Sequence, residues 1–150
     1  MEIRIETATA RLLGNLYEIE KQCFSEEAFS KQQISYLLTD YNSVSLVARV
    51  DGVIAGFVIG RVEVEPDQSA GHIMTIDVLP AYRRQGIAKR LLIEVEEIFR
   101  QKKVREIRLE AREGNLAALE LYGKLGYTKI SRLQNYYGSS HGIYLSKILK

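Results

Sequence analysis

Pro80-Ala-Tyr-Arg-Arg-Gln-Gly-Ile-Ala-Lys89 is a basic turn between two stretches of different periodicity. The run before it, His72 to Leu79, is rich in strand-forming residues and stops at the proline. Gly86 to Lys103 has apolar residues at the spacing of an amphipathic helix, and Val104 to Ala111 alternates as a strand does. Strand, long helix and strand in this order predict a crossover unit whose two strands are parallel.

The same turn is typical of an anion site. At the start of a helix the backbone N–H groups lack partners and the helix dipole favours negative charge, so a phosphate is the natural occupant. Gly86 lets an anion approach the backbone, and small Ala88 keeps the first turn open. Three cations add positive charge: Arg83, Arg84 and Lys89. The alternative is an ordinary capped helix with solvated arginines, and the sequence contains neither a Walker A nor a G-x-G-x-x-G motif.

The segments on either side of this unit predict one mixed α/β domain over residues 1–150. Ser30 and Gln33 form a capping box before a short helix, and Asp51-Gly52 is typical of a hairpin turn. The order βααβββαβαββ predicts a central mixed sheet of about seven strands with about four helices on its faces. The other predicted segments are a strand at Glu2–Glu6, a helix at Thr9–Phe24, strands at Ser43–Val50 and Val53–Val64, a helix from Asn115 to Gly126, and strands at Tyr127–Gln134 and Gly142–Leu149.

Composition excludes several classes of function. The chain has 150 residues, 46% hydrophobic and 27% charged, with a formal net charge of only +2, so a basic coat for nucleic-acid binding is not expected. Cys23 is the single cysteine, which excludes an intramolecular disulfide; we expect no metal site and a buried, inert thiol. The start of the chain lacks a signal-peptide pattern and Val53–Ile59 is too short to span a membrane, so we expect a cytoplasmic protein without a membrane partner. The glycines at 52, 56 and 60 are expected to relieve crowding in a buried strand.

Several motifs resemble the GNAT acetyltransferase superfamily. Arg83-x-x-Gly86-x-Ala88 resembles its acetyl-coenzyme A signature, and Asn115-x-x-Ala118-x-x-Leu-Tyr122-x-x-Leu-Gly-Tyr127 is similar to its next conserved segment. Gly71–Val78, Leu109–Asn115 and Asn135–Tyr137 most resemble the N-terminal protein acetyltransferases, both the bacterial ribosomal-protein type and the archaeal type. The resemblance implies the GNAT fold and acetyl transfer from acetyl-CoA, the expected co-substrate, to a primary amine. The amine it implies first is the N-terminal α-amino group of a protein or peptide, a ribosomal protein being one such partner.

Two rival functions stay open at this point. One is an enzyme that acetylates a small amine, such as a polyamine or an amino acid derivative. It would have the same coenzyme-binding loop and a different entrance to the substrate-binding site. The other is a catalytically silent module that binds coenzyme A and senses or recruits a partner. The presence of His72, Glu110 and Tyr122 together disfavours the silent module. The sequence does not distinguish a monomer from a weak dimer.

The resemblance also implies the catalytic residues. Archaeal relatives carry a histidine on the strand before the coenzyme loop and a glutamate on the following strand, which makes His72 and Glu110 the candidates for the general base. The alternative for His72 is a structural or surface side chain, and for Glu110 a solvated strand face formed with Glu106 and Arg108. Tyr122 is the expected general acid for the departing thiolate, although its spacing also fits a core stripe. We expect direct transfer without an acetyl-enzyme intermediate.

Further residues are expected to contact the coenzyme. In the resembled fold, backbone groups around Ile76, Asp77 and Val78 pair with the pantetheine arm like an added strand, and N–H groups of the basic turn hold the pyrophosphate. Asn115 is expected to contact the pantetheine end besides capping its helix. Asp77 is also a rival base, ranked below Glu110. The residues expected in the turn are Arg83, Arg84, Gln85, Gly86, Ile87, Ala88 and Lys89, with Tyr122 beside the thioester.

Two loops are expected to contact the amine substrate. Tyr136 and Tyr137 fall in a loop between the last two strands, where the resembled enzymes contact the first residues of the peptide; packing is the alternative role. The acidic pair that follows these tyrosines in the relatives is absent here. Glu26 and Glu27 add negative charge between the first two helices, with a solvated loop as the alternative. Residues 1–80 contain 6 basic and 12 acidic side chains and residues 81–150 contain 15 and 7, so the acidic half suits the approach of a cationic amine.

Overall fold

One mixed sheet of seven strands forms the centre of the computed structural model, which describes residues 2–150. In chain order the strands are β1 Ile3–Thr7, β2 Ser43–Val50, β3 Val53–Val64, β4 Ser69–Val78, β5 Glu106–Arg112, β6 Thr128–Tyr137 and β7 Ser140–Ile148. The helices are α1 Leu13–Cys23, α2 Lys31–Thr39, α3 Ile87–Gln101 and α4 Leu116–Lys124. Across the sheet the order is β1-β2-β3-β4-β5-β7-β6. The predicted α/β class and its elements are confirmed; Met1 of the predicted domain lies outside the described residues.

The β2–β3 hairpin has the predicted boundaries. Asp51 and Gly52 both have positive φ, 49° and 87°, the conformation that a two-residue hairpin turn requires. The turn places Val50 opposite Val53 and so fixes the register of the two strands. The Ser30 capping box at the start of α2 is also present, with Ser30 Oγ accepting from Gln33 N and Gln33 Oε1 accepting from Ser30 N.

β4 and β5 are parallel, as the crossover through α3 predicts, but they pair over only three residues. The pairs run from Ala70 opposite Glu106 to His72 opposite Arg108. β4 continues to Val78 and β5 to Arg112, so the two strands separate beyond His72 and open a cleft within the sheet. This cleft is the feature of the fold that positions the site.

Helices cover both faces of the sheet, and each face has its own apolar core. Leu46 of β2 packs in the core with Leu91 of α3, while the next residue, Val47, packs in the opposite core with Leu16 of α1 and Ile34 of α2. The period of two along the strand thus sends successive side chains to different layers. Within residues 2–150, no helix has both the length and the apolar character of a membrane span.

Two glycines in the sheet make room for Phe99 of α3. A Cβ at Gly60 would lie 2.7 Å from the Phe99 ring, and a Cβ at Gly71 would lie 2.8 Å from it. The prediction that strand glycines relieve crowding is confirmed for Gly60, and Gly56 similarly lies against the Asp77 carbonyl. It is wrong for Gly52, which occupies the hairpin turn and has open space around it.

Some element boundaries differ from the prediction by a few residues. α1 ends at Cys23 rather than Phe24 and is preceded by a 3-10 turn at Ala10–Leu12. β4 begins three residues before His72, and β5 is shifted towards Arg112. These differences leave the predicted order of the elements unchanged.

The predicted loop around Tyr136 and Tyr137 is wrong. Both tyrosines belong to β6, and only Gly138 and Ser139 connect that strand to β7. The pairing slips between Leu133 and Tyr137, where Asn135 has a φ of 53°. A local bulge at Asn135 therefore allows β6 to continue to Tyr137.

Candidate active site

The start of α3 offers an open cradle of backbone N–H groups. Gly86 is the N-cap with a φ of 82°, no side chain caps the helix, and Arg84 also has a positive φ of 64°. Successive N–H groups in such a turn form a concavity suited to an anion. A Cβ built at Gly86 would meet no atom of residues 2–150 within 4 Å, so the turn is uncrowded at this position. Arg84, Gln85 and Lys89 are exposed around it, and Ile87 is buried.

Arg83 has a further contact that the sequence did not predict. Its Nε donates to the Val78 carbonyl at 2.8 Å, at the end of β4. The Cys23 thiol also lies 3.5 Å from that carbonyl. Arg83 therefore braces the turn against β4 as well as adding charge. Cys23 is half-buried rather than fully buried, and burial, together with nearby Asp77, raises the pKa of its thiol, which keeps it in the less reactive neutral form.

The edge of β4 that faces β5 lacks a strand partner beyond His72 among the described residues. Ile76, Asp77 and Val78 lie on this separated part of the strand. An unpaired strand edge can pair with an extended ligand through backbone hydrogen bonds. The geometry therefore fits an extended chain with amide groups, lying between the two strands with its anionic end at the start of α3.

Two residues of α4 lie where the sequence predicted them. Asn115 caps the helix, with its Oδ1 accepting from Ala118 N at 3.2 Å. Tyr122 is buried, and its ring packs edge-on against Tyr127 at 5.9 Å between centroids. Burial, and secondarily the proximity of Asp77, raises the pKa of Tyr122 to about 12. The Tyr122 hydroxyl is therefore a hydrogen-bond donor at neutral pH.

His72 lies between two carboxylates. Its Nε2 is 2.8 Å from Glu110 Oε1 on β5, and its Nδ1 is 3.4 Å from Glu63 Oε2 on β3. Burial alone would lower the pKa of His72, but the hydrogen bond and charge of Glu110, with those of Glu63, outweigh it and raise the pKa above its ordinary value. Since both ring nitrogens face acceptors, the arrangement favours the doubly protonated imidazolium.

The alternative interpretation of Glu110 as part of a solvated strand face is wrong. The Glu110 side chain is only 17% exposed. Glu106 and Arg108, on the same face of β5, bind each other, and Glu106 also accepts from Ser146. This face of β5 is a network of half-buried, paired charges, in which the partner of Glu110 is His72.

Three of the four candidate substrate residues lie around Arg112 at the end of β5. Its guanidinium pairs with Glu27 at 2.5 Å, donates to Ser140 Oγ at 2.7 Å, and lies 5.4 Å from the centre of the Tyr137 ring. Tyr136 packs edge-on against Tyr137 at 4.8 Å. Burial and the proximity of Tyr136, Glu110, Tyr122 and Glu27 raise the pKa of Tyr137, so these groups converge on one region. Glu26 is exposed and outside this cluster.

Sequence reasoning missed Arg112, Glu63 and a buried acidic group. Arg112 follows Glu110 at the strand period of two, which would have placed both on one face. Glu63 has no signal of its own, because its approach to His72 depends on the β3–β4 register. The third feature is Glu20, an acid next to Ile19 on the apolar stripe of α1; it lies within hydrogen-bond distance of Thr75, which also contacts Asp77.

Comparisons with known proteins agree with this geometry. The sequence profile described as "Acetyltransferase (GNAT) family" matches residues 13–127. An "N-alpha-acetyltransferase" of Sulfurisphaera tokodaii is 32% identical over 120 residues, which cover 72% of this chain and 70% of that protein. The ribosomal-protein-S18-alanine N-acetyltransferase from Escherichia coli superposes with a TM-score of 0.88 at 24% identity, over 99% of this chain and 95% of that one. A chain of the NatC complex bound to Gag peptide and CoA superposes with a TM-score of 0.92 at 23% identity, over 100% of both chains.

Proposed function

Since this chain belongs to the GNAT acetyltransferase family, whose members are acetyl-CoA-dependent N-acetyltransferases, we propose that its substrate is the N-terminal α-amino group of a protein or peptide. The observation that carries the proposal is the contact of His72 Nε2 with Glu110 Oε1 at the point where β4 and β5 separate, which supports a carboxylate base beside the open part of the cleft. The name of the Sulfurisphaera tokodaii relative supports the same amine.

The acid–base chemistry is suited to an α-amino group. An amine attacks a thioester only in its neutral form, and at pH 7 neutralising a lysine amine costs about 4.6 kcal/mol, against about 1 kcal/mol for an α-amino group. A carboxylate base suffices for the second. A base of this kind therefore favours peptide N-termini over lysine side chains.

Glu110 is the proposed base and His72 its positioning partner. An imidazolium held between Glu63 and Glu110 has no free lone pair, so it accepts no proton from the substrate. It does fix the Glu110 carboxylate through Oε1 and leaves Oε2 to accept a proton from the amine, directly or through a water. Asp77 is not the base in this scheme, because its carboxyl is buried beneath α1.

The coenzyme is proposed to lie along the separated strands. Acetyl-CoA supplies the activated acetyl thioester when it is bound. N–H groups from Arg84 to Lys89 would hold its pyrophosphate, the free edge of β4 from Ile76 to Val78 would pair with its amide arm, and Asn115 would contact the far end of that arm. The open turn at Gly86 and the unpaired edge fit these groups.

Tyr122 is proposed to stabilise the departing sulfur as a hydrogen-bond donor. A phenol with a pKa of about 12 gives its proton to a thiolate of ordinary pKa, about 8.5, only at a cost of about 5 kcal/mol. Full proton transfer from Tyr122 is therefore unfavourable, whereas donation to a developing negative charge is favourable. This narrows the predicted general-acid role to stabilisation of the thiolate.

Tyr136 and Tyr137 are proposed to contact the first residues of the peptide. They lie at the end of β6, beside Arg112 and close to Glu110. Glu27 is already paired with Arg112, so the exposed Glu26 is left to attract the incoming ammonium group. Ribosomal proteins are among the substrates that this arrangement would accept.

Mass spectrometry of acetylated products tests the proposal. The enzyme is incubated with acetyl-CoA and a peptide library that has free N-termini and internal lysines, and separately with polyamines. Acetylation at the α-amino group, lost in Glu110→Gln and retained in the matched control Glu113→Gln, is the expected result. Acetylation of polyamines alone would identify a small-amine enzyme. Coenzyme binding without turnover on either panel would identify a silent coenzyme-binding module.

A further inference from the structure

Two acids lie almost fully buried between α1 and β4. Glu20 and Asp77 are each 1% exposed, and Thr75 between them is 7% exposed. Acidic side chains are rarely buried to this degree unless they are paired with cations or protonated. No lysine or arginine of residues 2–150 lies within 4 Å of either carboxyl as an ion pair.

The two hydrogen bonds of Thr75 require one acid proton in addition to the proton of its own hydroxyl. Thr75 Oγ1 is 2.9 Å from Glu20 Oε1 and 2.7 Å from Asp77 Oδ1. A hydroxyl has only one proton to donate, so it can donate to one carboxyl and must accept from the other. At least one of the two acids is therefore protonated.

The remaining contacts identify which acid carries the proton. Glu20 Oε2 accepts from the backbone N–H of Phe29 at 3.0 Å, so both oxygens of Glu20 act as acceptors, as they do in a carboxylate. Asp77 Oδ2 is buried without a partner among the described residues. The direction of donation is thus from Asp77 to Thr75, and from Thr75 and Phe29 to Glu20.

The surroundings agree with a neutral Asp77. Burial, and then the charge of Glu20, raises the pKa of Asp77 well above its ordinary value. Arg83 and the Thr75 hydroxyl oppose this shift without cancelling it. The other titratable groups nearby, Cys23 on α1 and Tyr122 on α4, have raised pKa values and are uncharged at neutral pH.

We propose that the Asp77–Thr75–Glu20 chain, which depends on the carboxyl proton of Asp77, positions residues 24–29 at the amine side of the cleft, and that loss of this proton releases them. Glu20 holds one end of the segment through Phe29 N–H. Arg112 of β5 holds its middle through Glu27 and also contacts the Tyr137 ring. Without the carboxyl proton of Asp77, two adjacent buried carboxylates would repel each other. Thr75 could then no longer accept from Asp77 while it donates to Glu20, and the hold of Glu20 on Phe29 N–H would weaken. The description of this side as the amine side rests on the proposed function; the proton assignment does not.

Carboxyl ¹³C NMR and amide hydrogen exchange across pH test the chain in the full-length protein. We expect Asp77 to stay protonated at neutral pH and Glu20 to stay ionised. Relative to the intrinsic exchange rate, Phe29 N–H protection should fall about tenfold as Asp77 ionises at alkaline pH, as expected for loss of one buried hydrogen bond. Asp77 titrating in the ordinary carboxyl range, or Glu20 carrying the proton, would overturn the assignment.

Matched variants separate this chain from general destabilisation. Asp77→Asn can still donate to Thr75 from its amide, so Phe29 protection should persist at alkaline pH; Glu20→Gln cannot accept at both positions and should lose protection at every pH. Thr75→Val should behave as Glu20→Gln does, and Thr75→Ser should restore protection. The reverse order of the Asp77→Asn and Glu20→Gln effects would overturn the proposal.

Steady-state kinetics test the positioning role. Thr75→Val should raise the peptide KM about tenfold and change kcat little. A fall in kcat as large as the rise in KM, with normal Phe29 protection, would refute the positioning role. Because exchange is measured without substrate, failure of the proposed function leaves the proton assignment separately testable.

Discussion

Gly71→Ala is expected to destabilise the protein and to impair the site together, because a new Cβ there has no free space. It would lie 2.8 Å from two atoms of the Phe99 ring, which is fully buried in the core under α3. Overpacking of this kind costs about 1–3 kcal/mol, less about 0.5–1 kcal/mol gained because alanine suits a strand interior better than glycine. We expect a net loss of about 1 kcal/mol, or about 2–4 °C in Tm for a domain of this size.

Urea denaturation and a double-mutant cycle measure the effect. Gly123→Ala is the control, since a Cβ there meets nothing within 4 Å inside α4 and should stabilise by up to about 1 kcal/mol. Phe99→Leu should relieve the clash, so the double variant should show a favourable coupling of about 1–2 kcal/mol. Gly71 precedes His72, the last residue of β4 that pairs with β5, so a shift of the strand at position 71 would also displace His72. We therefore expect kcat/KM to fall as well. If Gly71→Ala were as stable as wild type, or its cost simply added to that of Phe99→Leu, steric exclusion would be the wrong explanation.

Three further outcomes follow from the site. Tyr122→Phe should keep its thermal midpoint within a few degrees while kcat falls, as stopped-flow turnover would record; an unchanged kcat removes the hydroxyl from the chemistry. The raised pKa of His72 means that its pairing stabilises the fold fully below its ordinary pKa of about 6.5 and is lost as pH rises through the higher folded value, so His72→Gln should cost more stability at acidic than at alkaline pH in calorimetry. Coenzyme affinity measured by titration calorimetry should weaken as salt rises, and Lys89→Gln should flatten that dependence; equal slopes would exclude Lys89 from phosphate binding, and an affinity independent of salt would assign the binding to backbone amides.

The fold was predictable because its main signals are local. Asp51-Gly52 determines a hairpin turn through its positive φ values, Ser30 and Gln33 cap α2 within four residues, and Gly86 begins α3. Each of these depends on neighbours in the chain rather than on the finished structure. The same holds for the helical and strand periodicities on which the crossover unit rests.

The parts of the site that were missed depend on contacts between distant segments. Glu63 reaches His72 only through the register of β3 against β4, and Glu20 meets Thr75 across 55 positions of sequence. The loop predicted around Tyr136 and Tyr137 was wrong because β6 continues through Asn135, whose positive φ is accommodated as a bulge within the strand. Local rules thus identified candidate residues, while tertiary packing decided their partners and protonation.

The separation of β4 from β5 also bears on aggregation. A free strand edge usually invites another chain to add a strand, and proteins protect such edges with charges, bulges or covering segments. Here the free edge lies inside the sheet, closed at one end by the three pairs from Ala70 to His72 and flanked on its far side by β5. A pleated strand from another molecule carries side chains on both faces and needs lateral access along its length. The narrow, flexible arm that we propose to bind here would need access only from the open end, so the same geometry would admit it and keep neighbouring protein molecules from using the free edge as a template.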